Sequence, residues 1–189
     1  MVRCILGSYL SSQEETIFGT FLEQLAIFIA GKVYGGSKSS SEGIDLEFEN
    51  KGIKYLIAIK SGPNWGNSSQ IKRMVDNFKK AKRTLNTNRS AQKVICVNGC
   101  CYGQSKTQDK GEYLKLCGQD FWEFISNDSE FYLKIIEPLG YKAKEKNEAF
   151  NLEYSNCLNV FTQEFTTKFC DSTGMILWDK IVKLNSEHI

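Results

Sequence analysis

The sequence predicts an α/β fold, a central mixed β-sheet flanked by helices. Three observations carry that reading. Ile44-Asp45-Leu46-Glu47-Phe48-Glu49 alternates apolar and acidic residues, the periodicity of a half-buried strand, and Tyr55-Leu56-Ile57-Ala58-Ile59 follows as a more buried one. A segment with helical periodicity comes next, and then the apolar run Val94-Ile95-Cys96-Val97. A strand hairpin, a helix and a further strand, with helices on either side, form an α/β arrangement.

The elements follow in order. Ser12-Gln13-Glu14-Glu15 has the capping-box pattern of a helix start, in which Glu15 reaches back to the Ser12 amide. Phe18, Phe21, Leu22, Leu25, Phe28 and Ile29 recur at helical spacing, so an amphipathic helix is predicted over 12–31. Gly35-Gly36-Ser37-Lys38-Ser39-Ser40-Ser41 reads as a flexible loop. It lacks the Gly-Lys-Ser/Thr ending of a phosphate loop and leads into a strand instead of a helix. Asn50-Lys51-Gly52 makes the hairpin turn. After the loop Gly62-Pro63-Asn64-Trp65-Gly66, Ser68 or Ser69 can cap a helix with Ile71, Met74, Phe78, Ala81 and Leu85 on one face. Beyond the strand at 94–97 the pattern is mostly helical: 121–126, 130–139, and one or two amphipathic helices between 150 and 184. One domain over 1–189 is expected, with a core at about 12–140 and a helical part at 145–189.

Composition narrows the class. Of 189 residues, 41% are hydrophobic and 24% charged, ordinary globular values that exclude a disordered or collagen-like chain. No uninterrupted apolar run reaches the roughly 20 residues of a spanning helix, and Met1-Val2-Arg3-Cys4-Ile5-Leu6 is too short and too soon polar for a secretory signal. A soluble cytoplasmic protein without a membrane partner is expected. The seven cysteines then read as reduced thiols, since an odd number cannot all pair. Cys96, Cys100, Cys101 and Cys117 lack the paired Cys-x-x-Cys spacing of a zinc site. The one histidine, His188, sits near the C-terminus, a poor place for the rigidly held base of a Ser-His-Asp or Cys-His hydrolase. Carboxylates, lysine and metal remain to carry chemistry.

Asp45 lies near the start of one strand and Lys60 at the end of its neighbour, so a hairpin can bring both to the same open end of the sheet. Burying a carboxylate beside an amine is costly unless the pair serves a site. Phosphodiester hydrolysis uses such a pair. The carboxylate holds Mg²⁺, and the ammonium offsets charge growing on phosphorus or orients the attacking water. An ordinary strand-edge ion pair remains the alternative.

Gly43-Ile44-Asp45, a turn, and Ile57-Ala58-Ile59-Lys60 resemble the active-site hairpin of the PD-(D/E)XK nuclease superfamily. The following Ser61-Gly62-Pro63-Asn64-Trp65-Gly66-Asn67-Ser68-Ser69-Gln70 is similar to a segment of its type II restriction endonucleases, and a more diffuse likeness runs on through Gly111-Glu112-Tyr113 and 117–126. The resemblance implies a restriction-endonuclease-like fold. It implies Mg²⁺ as cofactor, Asp45 as metal-binding aspartate, Lys60 as catalytic lysine and the Ile59 carbonyl as a further metal ligand. It also implies specific double-stranded DNA as substrate, a homodimer, and a companion DNA methyltransferase.

The superfamily pattern wants Glu or Asp two residues before the lysine, where this chain has Ala58. Three explanations stand. Ala58 replaces a catalytic carboxylate and inactivates the chain; the carboxylate has moved to Glu47 or to Glu23 on the N-terminal helix; or the protein binds DNA without cutting it. The intact sequence around Ala58 favours the first. A structure-selective repair nuclease of the same fold is a further alternative to restriction.

Residues 72–93 hold Lys72, Arg73, Lys79, Lys80, Lys82, Arg83, Arg89 and Lys93 against Asp76 alone, while the whole chain carries a net charge of only +2. A basic stripe of this kind suits phosphates through counterion release; a solvated helix face is the plainer reading. Just before it, Asn64, Asn67, Ser68, Ser69 and Gln70 cluster amides and hydroxyls around Trp65, with Ser61 upstream. This chemistry suits phosphate contacts more than base reading. Lys38 in the serine-rich loop adds a further clamp. Gln104-Ser105-Lys106-Thr107-Gln108-Asp109-Lys110 is either a second DNA-facing loop or plain surface. Trp122 and Phe124 are expected in the core, and Phe161, Phe165 and Phe169 in core or a dimer seam.

Overall fold

The computed structural model describes residues 1–88, 93–135 and 143–187. Contacts divide the chain into two compact units, Glu15–Leu139 and Met1–Glu14 with Gly140–Ile189. The first holds a five-stranded sheet of β1 (Leu46–Asn50), β2 (Ile53–Lys60), β3 (Lys93–Cys100), β4 (Gln108–Asp109) and β5 (Leu114–Cys117). Spatial order is β1-β2-β3-β5-β4. β1–β2 and β4–β5 pair antiparallel, while β2–β3 and β3–β5 pair parallel, so the sheet is mixed. The helices are α1 (Val2–Tyr34), α2 (Ser68–Asn88), α3 (Gln119–Ser126), α4 (Phe131–Lys134), α5 (Ala143–Phe169) and α6 (Trp178–Ser186). The predicted α/β class holds.

Alternation along β2 builds two cores, because successive strand side chains point to opposite faces. Ile57 and Ile59 join Leu46, Phe48 and Val97 under Leu22, Ala26 and Ala30 of α1 and Phe121, Trp122 and Ile125 of α3. Leu56 and Ala58 join Ile44 and Cys96 under Met74, Phe78 and Ala81 of α2. Each fully buried Leu, Ile or Phe contributes roughly 1.5–3 kcal/mol. Trp122 and Phe124 belong to the first core as expected, the Trp122 indole N–H donating to the Cys101 carbonyl at 2.7 Å.

Several boundaries differ from the sequence pattern, and β5 falls in a stretch predicted to be mostly helical. α1 begins at Val2, not at residue 12, because Ile5, Leu6, Tyr9 and Leu10 continue the apolar period upstream. The Ser12–Glu15 pattern therefore falls inside the helix, where the amides already serve the i−4 carbonyls. By length and composition alone α1 is also apolar enough to cross a membrane, a test that mostly buried core helices and N-terminal signal sequences pass too. The start of α2 is capped by Asn67, not Ser68 or Ser69: Asn67 Oδ1 accepts from the Gln70 amide and Gln70 Oε1 from the Asn67 amide, both at 3.0 Å. That is a reciprocal capping box. In the loop over 104–110, Gln108 and Asp109 form β4, joined to β5 by a turn. The Lys110 amide donates to the Tyr113 carbonyl at 2.9 Å, and Gly111 takes a φ of +79°, which favours glycine. In the predicted helix 130–139 the structure shows a single turn, α4; residues 136–139 lie outside the described residues, as do Arg89 and His188.

The other unit is helical. In α5 the rings of Phe161, Phe165 and Phe169 follow one another at centroid separations of 6.4 and 5.4 Å, and Phe165 is buried. Phe165 is thus the buried member of that aromatic row, with Phe161 and Phe169 half-buried on either side.

Gly99 in β3 lies beneath Phe121, and a Cβ there would come within 2.2 Å of the ring. Overpacking of this kind typically costs about 1–3 kcal/mol. Gly99→Ala is therefore expected to lower the urea midpoint by that equivalent; an unchanged midpoint would contradict the packing described.

Candidate active site

The hairpin register places the chemistry. Leu46 pairs with Ile57, and one residue earlier the Asp45 amide donates to the Ile57 carbonyl at 2.9 Å. Asp45 thus falls opposite Ala58. Its Oδ2 accepts from the Ile59 amide at 2.7 Å and stands 4.0 Å from Lys60 Nζ. Both side chains are half-buried at the same end of the hairpin. The Lys60 ammonium also sits 5.2 Å from the centroid of the Trp65 ring, within cation–π range.

Burial pushes the Asp45 carboxyl above its ordinary value. The Ile59 N–H and Lys60 oppose that shift, Glu23 adds to it, and Lys38 opposes it. Glu23 and Lys38 are therefore in the electrostatic field of Asp45, and they pair with each other at 3.5 Å. Glu47 is not placed this way: it accepts from Ser39 Oγ at 2.9 Å and from Lys54 Nζ at 3.1 Å. Of the two carboxylates considered as substitutes for Ala58, only Glu23 acts electrostatically on Asp45. Ala58 itself is fully buried.

Strand register extends this row across the sheet. Ala58 pairs with Asn98 of β3, and Asn98 with Lys115 of β5. Among the described residues, Asn98 is the one buried polar or charged side chain. Sequence reasoning missed it, although an amide directly after Val94-Ile95-Cys96-Val97 breaks an apolar strand and could have drawn notice.

The residues expected to meet DNA are spread along the following segment. Asn64, Asn67, Ser68, Ser69, Gln70, Lys72 and Arg73 are exposed, while Ser61 and Trp65 are half-buried. Asn67 and Gln70 are engaged with each other as the α2 cap. The basic stripe is partly neutralised: Glu42 pairs with Arg73 at 3.2 Å and Lys80 at 3.5 Å, and Glu112 with Lys79 at 3.1 Å. All seven cysteines are free. Burial pushes the thiol pKa to about 11 at Cys96 and about 12 at Cys100 and Cys101.

A hard divalent cation wants several oxygen ligands. Asp45 offers a carboxylate and Ile59 a carbonyl, but Ala58 offers nothing. Among the described residues no cluster of three His, Cys, Asp or Glu forms. The residues present do not complete a metal site.

A mixed five-stranded sheet flanked by helices is consistent with a restriction-endonuclease-like α/β fold. The family model of type II restriction endonuclease EcoO109I matches residues 1–147. The chain belongs to this family. Comparison with curated proteins gives no match. The match to the EcoO109I family runs from α1 into α5 and includes Asp45, Ala58 and Lys60. Type II restriction endonucleases are site-specific nucleases of double-stranded DNA and generally use divalent metal ions.

The raised Asp45 pKa fixes the sign of a pH effect in the metal-free protein. Between the ordinary aspartate value of 3.8 and the raised one, the folded state binds more protons than the unfolded state. Stability therefore falls as pH rises through that window. Asp45→Asn keeps an oxygen for the Ile59 amide and removes the charge. It is expected to abolish this slope and raise the urea midpoint at neutral pH, and equal slopes in both proteins would contradict the burial cost assigned to Asp45.

Proposed function

We propose that this chain is a variant of a type II restriction endonuclease built for Mg²⁺-dependent hydrolysis of a specific double-stranded DNA, in which Ala58 occupies the place of a catalytic carboxylate and leaves the chain able to bind DNA but not to cut it. The observation that carries the reading is the Asp45–Lys60 pair at 4.0 Å, with Ala58 next to Asp45 in the strand register. A carboxylate at position 58 would stand beside Asp45 and two residues from Lys60, on the same face of β2.

The division of labour follows from charge. The Lys60 ammonium, held near Asp45, faces the place where a phosphate gains negative charge. Ser61, Asn64, Trp65, Ser68 and Ser69, with Lys72, Arg73 and Lys38, hold the sugar–phosphate backbone. Asn67 and Gln70 act there through the helix start they cap, a natural seat for phosphate. Since the donor set lacks one carboxylate, no metal-assisted step is assigned to the chain as it stands.

Two-fold DNA sites call for two-fold proteins, so a cytoplasmic homodimer with one site per strand is the working assembly, and a companion methyltransferase protects host DNA. Ala58 itself favours one second reading, a member of the fold that binds DNA without cleavage.

Plasmid digestion with Mg²⁺, using this chain and Ala58→Glu side by side, separates the readings. Discrete fragments from Ala58→Glu alone are expected. Cutting by both would move the missing carboxylate to Glu23, and Glu23→Gln would then abolish it. Cutting by neither, with salt-sensitive duplex binding retained, would leave the binding-only reading and overturn the nuclease.

A further inference from the structure

Asn98 is an amide in a strand of apolar residues, 1% exposed, and such a group destabilises the fold unless both its ends are bonded. Both are. Its Nδ2 donates to the Ala58 carbonyl at 3.3 Å, and its Oδ1 accepts from Trp65 Nε1 at 3.1 Å. The first bond ties the amide to the strand that bears Lys60. The second reaches the ring that carries the Lys60 ammonium at 5.2 Å.

The loop that holds Trp65 is fixed by other contacts before it reaches the indole. Lys115 Nζ donates to the Pro63 carbonyl at 2.9 Å. A Cβ on Gly62 would come within 2.5 Å of the Tyr102 ring, and one on Gly103, whose φ is +111°, within 2.6 Å of the Pro63 ring. These contacts fix the path of the chain at 62–63. The Trp65 ring then packs against the core beneath α2, and the Asn98 bond is the directional contact on its indole N–H. A leucine at 98 would fill similar space but leave the indole N–H without its acceptor.

We propose that Asn98 is a positioning residue: it orients the Trp65 indole, and through that ring it holds the Lys60 ammonium toward the end of the hairpin where Asp45 lies. The inference rests on Lys60 being the working lysine for its purpose, but not for its test. That test reads the ring and the ammonium directly and needs neither DNA nor cleavage, so a failed digestion and a failed positioning role are told apart.

The experiment is side-chain NMR on the full chain, its Asn98→Leu and Asn98→Asp variants, and Trp65→Leu to assign the signals. In the unsubstituted protein the Trp65 indole N–H is expected to be protected from exchange and the Lys60 ε-methylene protons shifted upfield by the ring. Asn98→Leu is expected to lose both signatures while the amide spectrum away from the site is kept. Asn98→Asp, protonated in so buried a place, donates to the Ala58 carbonyl, leaves an oxygen for the indole and keeps both signatures. An unchanged upfield shift in Asn98→Leu would show that packing alone places the ring and would overturn the proposal. If Asn98→Leu fails to fold, the unsubstituted protein still decides: an indole N–H exchanging as fast as that of an exposed tryptophan would overturn the proposal by itself.

Discussion

One register governs the site. Antiparallel pairing of Leu46 with Ile57 brings Asp45 opposite Ala58 and within 4.0 Å of the Lys60 ammonium, although the two charged residues are fifteen positions apart in the chain. A slip of one residue would send every side chain of β1 to the other face, moving Leu46 and Phe48 out of the core. Hydrophobic burial therefore enforces the geometry of a polar pair that is itself unfavourable to bury. The parallel pairing of β2 with β3 then sets Asn98 beside Ala58.

Function and stability pull in opposite directions around Asp45. Desolvation favours its neutral form, while the Ile59 amide and Lys60 favour the charged one, and desolvation is the larger effect. Ala58 occupies the row between Asp45 and Asn98 as a small, fully buried residue of the α2 core. A carboxylate in this row would place a second negative charge beside Asp45, so the fold has no reason to resist alanine there.

The hairpin and its two charged residues were legible because period-2 alternation and a Lys51-Gly52 turn are local signals, and Lys51 and Gly52 both adopt positive φ. The basic stripe was legible as composition, but its partial neutralisation was not. Glu42 meets Arg73 across 31 positions, a distance over which local pattern says nothing. The true start of α1 was hidden by a capping-box pattern that recurs in the helix interior. β4 and β5, at two and four residues, are shorter than any window in which periodicity can be read. Asn98 was visible as an anomaly in an apolar run, but its partners Trp65 and Ala58 are set by tertiary register, 33 and 40 positions away.

The proposal requires that a carboxylate at position 58 would complete a set of oxygen ligands with Asp45 and the Ile59 carbonyl. Paramagnetic broadening by Mn²⁺ in the Ala58→Glu protein measures this without DNA. Broadening is expected to centre on the amides of residues 45 and 58–60, and to be lost when Asp45→Asn is added. Broadening centred elsewhere, or the same broadening with Asp45→Asn in place, would contradict it.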